Sequence, residues 1–296
     1  MGTPEFAKPA LQKLLENDQI EIVGIYTKAP KIAGRGQKIS NSPIHELALK
    51  HNLKIFTPLT LKDEETQQEF KKLNADAALI VAYGLILPKI ILESTKFGCI
   101  NIHPSILPKW RGATPIQSTL FAGDSEIGVS IIKMEQGVDS GDIILQEKFA
   151  ITDVDNYGNL APKLAEMGAD MAVLALFSLR DGKAEFIKQD DQKASFSKKI
   201  VKTDAKLDFN QDSSEVLNKI RALSGFLTSF YEYKGEKIKI FSAKIIEFSD
   251  ENYKNGEVVN DKFVIKCAKN AIQPLILQRE GKKPTTIDEF LRGFRF

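Results

Sequence analysis

Between residues 20 and 180 short apolar runs alternate with segments of helical pattern, and that alternation leaves few folds open. Residues 20–26, 54–56, 77–82, 99–102, 128–134 and 143–149 read as strands, and 44–50, 62–74, 88–93, 114–122 and 156–180 as the helices among them. Strands separated by helices join as parallel neighbours, because a parallel partner is reached only by a crossover connection. The runs at 77–82 and 99–102 are apolar almost throughout, as strands buried on both faces require. Upstream, Thr3 stands before Pro4 and Glu5, a capping arrangement for a helix over residues 4–16. In the long helix, Leu160, Leu164, Met167, Met171 and Leu174 mark the stripe expected to face the core.

The pattern changes after residue 180. Residues 181–206 are rich in Lys, Gln, Asp and Ser with few apolar clusters, the composition of a surface linker. Beyond it a helix at 213–223 precedes short runs at 230–233, 237–244, 257–258, 263–267 and 271–277, a spacing that suits a small barrel. The expected domains are therefore 1–180 and 207–296, joined by 181–206. No apolar run approaches the roughly 18 residues of a membrane span, and the N-terminus lacks the charged-then-apolar order of a secretion signal. Cys99 and Cys267 sit in separate apolar runs and read as buried thiols of a reducing compartment. Residues 1–180 carry 19 Lys+Arg against 21 Asp+Glu and residues 181–296 carry 22 against 18, a small basic excess in the second half that points toward nucleic acid and no further.

Chemistry concentrates in residues 98–142. In a strand, residues two apart share a face, so Asn101 and His103 point together from the C-terminal end of the run at 99–102, where open α/β sheets hold ligands. The run at 128–134 then leads to Asp139, between Gly137 and Gly141. A carboxamide, an imidazole and a carboxylate on convergent strand ends can stabilise an oxyanion and move a proton. Asp142 competes with Asp139 for the acid's place on sequence alone. His45 and His51 have no comparable company, and Cys99 shares the face of Asn101 with no evident base beside it. No metal is expected, because paired ligand spacing is missing.

Residues 101–117, Asn-Ile-His-Pro-Ser-Ile-Leu-Pro-Lys-Trp-Arg-Gly-Ala-Thr-Pro-Ile-Gln, and 137–142, Gly-Val-Asp-Ser-Gly-Asp, resemble the 10-formyltetrahydrofolate-dependent formyltransferases. Gly-Thr-Pro-Glu-Phe-Ala at 2–7, Ala-Gly-Arg-Gly-Gln-Lys at 33–38, Ala-Tyr-Gly-Leu-Ile-Leu-Pro at 82–88 and Gly-Lys-Lys at 281–283 direct the resemblance to members that formylate the methionine of initiator methionyl-tRNA. The resemblance implies an α/β, Rossmann-like N-terminal domain and an OB-like C-terminal barrel that contacts tRNA. It implies Asn101 and His103 as oxyanion donors and assigns the acid to Asp139. Ser105, Ile106, Leu107 and Pro108 match the family's folate-contacting stretch, with residues 83–87 as a second wall, while Trp110 and Arg111 read as supports of that loop. Arg35 and Lys38, in a basic insertion over residues 27–42, are the implied contacts to the acceptor end of tRNA. The donor is 10-formyltetrahydrofolate, and a cytoplasmic monomer with no membrane partner is expected.

In that family an apolar strand runs directly into the Gly-Thr-Pro turn at the centre of the sheet. Here the chain begins at Met1, and the expectation is that Met1 is an internal methionine of a longer reading frame, or that the chain was cut, so that a central strand is missing. Two rivals remain open: a formyltransferase acting on an amino-sugar nucleotide or glycinamide ribonucleotide, and a noncatalytic RNA-binding protein on the same scaffold.

Overall fold

The computed structural model describes residues 1–33 and 38–293. The chain runs through α1 (Lys8–Leu15), β1 (Ile25–Tyr26), β2 (Lys31–Ala33), β3 (Lys38–Ser40), α2 (Pro43–Lys50), β4 (Ile55–Phe56), α3 (Glu64–Lys72), β5 (Ala78–Ile80), α4 (Lys89–Leu92) and β6 (Cys99–His103). It continues with β7 (Arg111–Gly112), α5 (Pro115–Ala122), β8 (Glu126–Lys133), β9 (Ile143–Ala150), α6 (Tyr157–Arg180) and β10 (Phe196–Ser197). The last elements are α7 (Ser213–Leu223), β11 (Ser229–Tyr233), β12 (Glu236–Ile246), β13 (Ile265–Lys266), β14 (Ala271–Arg279), β15 (Thr285–Thr286) and α8 (Ile287–Arg292). Two units emerge: Met1–Gly112 with Ile127–Phe149 and Ala161–Phe196, and Ala113–Glu126 with Ala150–Leu160 and Ser197–Phe296.

The first unit is α/β. Its main sheet has the order β5-β6-β8-β9, with β5 and β6 parallel. β8 joins antiparallel to β6, pairing Asn101 with Ile132 and His103 with Ser130, so the sheet is mixed rather than wholly parallel. A separate parallel pair, β1 and β4, aligns Ile25 with Ile55 and Tyr26 with Phe56. Residues 1–2 lie between the two sheets: Gly2 N donates to Tyr26 O at 2.9 Å and Val81 N to Met1 O at 2.9 Å. Behind this bridge a cleft of about 460 Å³ is lined by Ile22, Val23, Leu73, Ala77, Leu79 and Phe177, among others. The strand expected over residues 20–26 shrinks to Ile25–Tyr26, because only there does the backbone meet a neighbouring strand. Thr3 does not cap the first helix; its hydroxyl donates to Tyr83 O at 3.0 Å, and Pro4 opens a short 3-10 turn ahead of α1.

Every residue of β6 is buried, so each face of this strand is covered. The helix that covers one face does so with small side chains. Leu164, Ala165, Ala169, Ala172, Ala175 and Leu179 of α6 are buried, whereas Leu174, expected on the buried stripe, is 59% exposed. A Cβ at Gly168 would stand 2.5 Å from Ile102 Cγ2, so the helix comes as close to β6 as its backbone permits. With Ile100 and Ile102 turned into the interior on alternate positions, Cys99, Asn101 and His103 share the other face.

The second unit is an antiparallel sheet, β11-β12-β14-β13, with β15 on β14. Long β12 slips register against β14 between Ile240 and Ser242 and again before Ala243. Such irregularities bend a strand and raise its twist, which curls the sheet into an OB-like half-barrel. Its core holds Ile238, Ile240, Phe263, Ile265 and Ile272, with Val216 and Ile220 of α7 packed among them. Asp212 N donates to Glu215 Oε2 at 3.0 Å at the start of α7, one half of a capping box. Among the described residues, no helix is long and apolar enough to cross a membrane.

Candidate active site

Asn101 and His103 leave the buried C-terminal half of β6 on one face, 8% and 4% exposed. Pro104 follows and ends the pairing, since it has no N–H for a ladder. Asp139 reaches the same place from the loop after β8. That loop turns back tightly: Lys133 N donates to Asp142 O at 3.0 Å, and a Cβ on Gly141 would fall 1.8 Å from Lys133 O. Only glycine fits at 141. Asp139 itself has φ +48°, which lifts its carboxylate out of the turn and toward the strand.

The three side chains meet. Asn101 Nδ2 donates to Asp139 Oδ1 at 3.3 Å, and His103 Nδ1 stands 3.5 Å from Asp139 Oδ2. Gly112 N donates to Asp139 Oδ2 at 2.8 Å. On the far side of the ring, His103 Nε2 lies 3.0 Å from Trp110 O. A carbonyl only accepts, so this bond is donated by Nε2, and Nδ1 is the nitrogen turned toward the carboxylate. Two polar side chains and a nearby acid thus converge on one point.

The connecting loop, 104–112, is tied down. Ser105 N donates to His103 O at 2.9 Å and Ser105 Oγ to Lys109 O at 2.6 Å. Ser130 Oγ, from β8, donates to Ser105 O at 2.7 Å and accepts from Leu107 N at 3.1 Å. Leu107 precedes a cis proline and is buried against Ile132 and Ile143. Of the four residues matched to a folate-contacting stretch, Ser105 and Leu107 therefore face the interior, and Ile106 and Pro108 are half-buried and can offer an apolar surface. In the second expected wall, Tyr83 is buried, and burial pushes its hydroxyl up to about 12; Ile86 is 78% exposed.

The other candidates fall elsewhere. Asp142 meets β8 through its backbone carbonyl, and the carboxylate that touches Asn101 belongs to Asp139. Cys99 is fully buried with its Sγ 3.7 Å from Ile91 O, and burial pushes its thiol up to about 12. His45 lies in α2 with Nδ1 buried and unpartnered, and His51 is exposed after it. Arg35 lies outside the described residues, and of Lys38 only the backbone, in β3, is described. Among the described residues no group of three or more His, Cys, Asp or Glu side chains could hold a metal ion. Sequence reasoning passed over Gln189. Its carboxamide, on the segment expected to be a linker, donates to Asp139 O at 2.8 Å and Gly141 O at 2.7 Å. Nothing in a lone glutamine among polar neighbours signals such a role.

Comparison with known proteins identifies the family. The family model described as formyl transferase matches residues 1–176, and that of the formyl transferase C-terminal domain matches 199–295. Methionyl-tRNA formyltransferase of Rhodopseudomonas palustris (strain HaA2) is 41% identical over 297 residues, covering 99% of this chain and 94% of its own. The methionyl-tRNA formyltransferase of Ehrlichia canis (strain Jake) is 40% identical over 296 residues, covering 99% and 96%. Among solved structures, the N-formyltransferase from Helicobacter canadensis in complex with folinic acid and dTDP-3-aminofucose superposes with a TM-score of 0.68 at 22% identity, over 94% of this chain and 97% of that one. At that identity the likeness speaks for the fold alone. With both halves matched and relatives aligned nearly end to end, the chain belongs to the formyl transferase family.

Proposed function

We propose that this chain transfers the formyl group of 10-formyltetrahydrofolate to the methionine α-amine of initiator methionyl-tRNA. The observation that carries the reading is end-to-end identity of 40–41% with methionyl-tRNA formyltransferases, the C-terminal unit included. The amino-sugar enzyme shares only 22%. A noncatalytic RNA-binding role is disfavoured by Asn101, His103 and Asp139, all present and in mutual reach.

In this reading Asn101 Nδ2 and His103, its Nε2–H exchanging Trp110 O for the substrate, donate hydrogen bonds to the formyl oxygen as it becomes an oxyanion. Loss of one such donor typically costs about 3 kcal/mol of transition-state stabilisation. Asp139 accepts the proton that the amine sheds as its lone pair forms the new C–N bond, through water where the distance requires it. That proton then goes to the departing folate nitrogen as the old C–N bond breaks. The folate supplies an activated formyl carbon and a leaving nitrogen; no covalent bond to the protein is called for. The half-buried faces of Ile106 and Pro108 suit one side of a flat pterin. Backbone groups are the other contact this loop can make, since Ser105 and Leu107 turn inward. We assign tRNA contact to the C-terminal unit and, at the acceptor end, to Arg35 and Lys38, where basic side chains meet phosphate. The chain is proposed to act as a cytoplasmic monomer.

The test supplies labelled formyl donor together with charged initiator tRNA, charged elongator tRNA, an amino-sugar nucleotide and glycinamide ribonucleotide. Label is expected in the initiator methionine alone; label in either small acceptor overturns the assignment. Asn101→Ala, His103→Ala and Asp139→Ala are each expected to lower turnover by about 100-fold or more with tRNA binding retained, and near-parental activity in His103→Ala would end the mechanism.

A further inference from the structure

Arg111 is a buried cation that the reaction does not use. It is 5% exposed, and its guanidinium does not reach the reacting groups. Nε and Nη2 instead both donate to Gln189 Oε1, at 3.0 and 2.8 Å, and Nη2 also donates to Asp191 Oδ1 at 2.7 Å. A guanidinium has no acceptor, so Gln189 must turn its oxygen toward Arg111 and its NH2 the other way. The NH2 then donates to the carbonyls of Asp139 and Gly141. The residues flanking Arg111 complete a ring: Gly112 N holds the Asp139 carboxylate at 2.8 Å, and Trp110 O holds the His103 ring at 3.0 Å.

We infer that Gln189 is a positioning residue for Asp139, oriented by Arg111. The inference rests on the role proposed above for Asp139. Asp139 sits in a left-handed conformation, φ +48°, on a loop whose tip is exposed at Val138, 56%. Left to itself such a residue has other backbone conformations within reach. Gln189 binds the carbonyls of Asp139 and Gly141, and so fixes the peptide group that follows Asp139 together with the turn beyond it. A carboxamide is the group that can accept from a guanidinium at one end and give two hydrogens to two carbonyls at the other. Glutamate would face those carbonyls with oxygen, and leucine would take this partner from both carbonyls and leave Arg111 to Asp191 alone.

The experiment measures kcat, KM for both substrates, tRNA Kd and Tm for Gln189→Leu and Gln189→Glu, alone and on an Asp139→Asn background. A displacement of about 1 Å in a reacting group costs on the order of 100-fold. Each single variant is therefore expected to lose about 10- to 100-fold in kcat, with KM and tRNA Kd little changed. On the Asp139→Asn background the same changes are expected to cost about 3-fold at most, because groups acting as one unit are not additive. Parental kcat in the single variants, or an equal loss on both backgrounds, overturns the inference while leaving the role of Asp139 intact. Parental kcat in Asp139→Asn alone overturns both. Should Gln189→Leu fail to fold, Gln189→Glu carries the same expectation.

Discussion

In the proposed mechanism Asp139 is the residue on which both donors depend. One carboxylate oxygen accepts from Asn101 and the other faces His103 while accepting from Gly112, so the acid holds the two side chains aimed at a single point before any substrate oxygen arrives. Preorganised donors need no reorientation during the reaction, which is the source of their effect. Cys99 shares the strand face with them but not their chemistry. It is fully buried, and both it and Cys267 have thiols pushed by burial up to about 12. The nucleophile is the thiolate, so a thiol titrating that high stays protonated in mildly alkaline buffer. Iodoacetamide is therefore expected to leave both cysteines unmodified in the native protein and to alkylate both after unfolding in guanidinium, as read by intact mass. Cys99→Ala is expected to keep formyl transfer. Rapid native labelling of Cys99, or loss of turnover in a folded Cys99→Ala, would contradict this.

At the scale of elements, the site depends on how closely α6 lies on β6. Gly168 has Ile102 Cγ2 at 2.5 Å and Val129 Cγ1 at 3.3 Å from where its Cβ would be, both on β-branched side chains that cannot swing aside. Alanine at 168 would gain about 1 kcal/mol of helix propensity against an overpacking cost of about 1–3 kcal/mol. Gly168→Val adds a larger branched group for less propensity, so its overpacking term dominates. It is expected to lower Tm by several degrees and to reduce kcat as well, since the displaced strand carries Asn101 and His103; an unchanged melting curve would show the contact to be loose. The sequence made β6 legible because its apolar residues and its two polar ones fall on alternating positions. On α6 the expected stripe holds at Leu160, Leu164 and Met171 and fails at Leu174, and the alanines and Gly168 that share the buried face carried no signal of it. Residues 20–24 have strand composition, but a strand is a relation between two chains of backbone and only Ile25 and Tyr26 find it. Apolar alternation carries no direction, which hid the antiparallel step from β6 to β8. Helix α8 was passed over although Thr286 and Glu289 stand at capping-box spacing. Gln189 was not legible, because its partner Arg111 is 78 residues away and the turn it holds exists only after folding.

On the scale of the whole molecule, the uneven division of charge becomes a surface argument. The excess of basic residues lies in 181–296, and in the second unit some of it is ordered by the sheet. In β12, Lys237 and Lys239 are exposed while Ile238 and Ile240 are fully buried, so the strand's alternation sends both lysines outward on one face. Lys237 Nζ stands 3.8 Å from the ring centroid of Phe230, and a shallow pocket beside both lysines also has Gln278 and Arg279 in its lining. Sheet faces of OB-like barrels present cations and aromatic rings to polynucleotides in this manner. If that face meets tRNA phosphates, the lysines release condensed counterions on binding, and log K falls with log salt by about 0.7 to 0.9 per phosphate neutralised. The double variant Lys237→Ala/Lys239→Ala is then expected to bind initiator tRNA more weakly at low salt and to show a slope shallower by about 1 to 2. Both side chains lie in solvent, so Tm should stay near the parent's, and kcat at saturating tRNA should be kept because Asn101, His103 and Asp139 belong to the other unit. Filter binding across a salt series gives the slope directly. An unaltered slope in a folded double variant would remove this face from the tRNA-binding surface and leave the charge excess elsewhere in the second half to account for it.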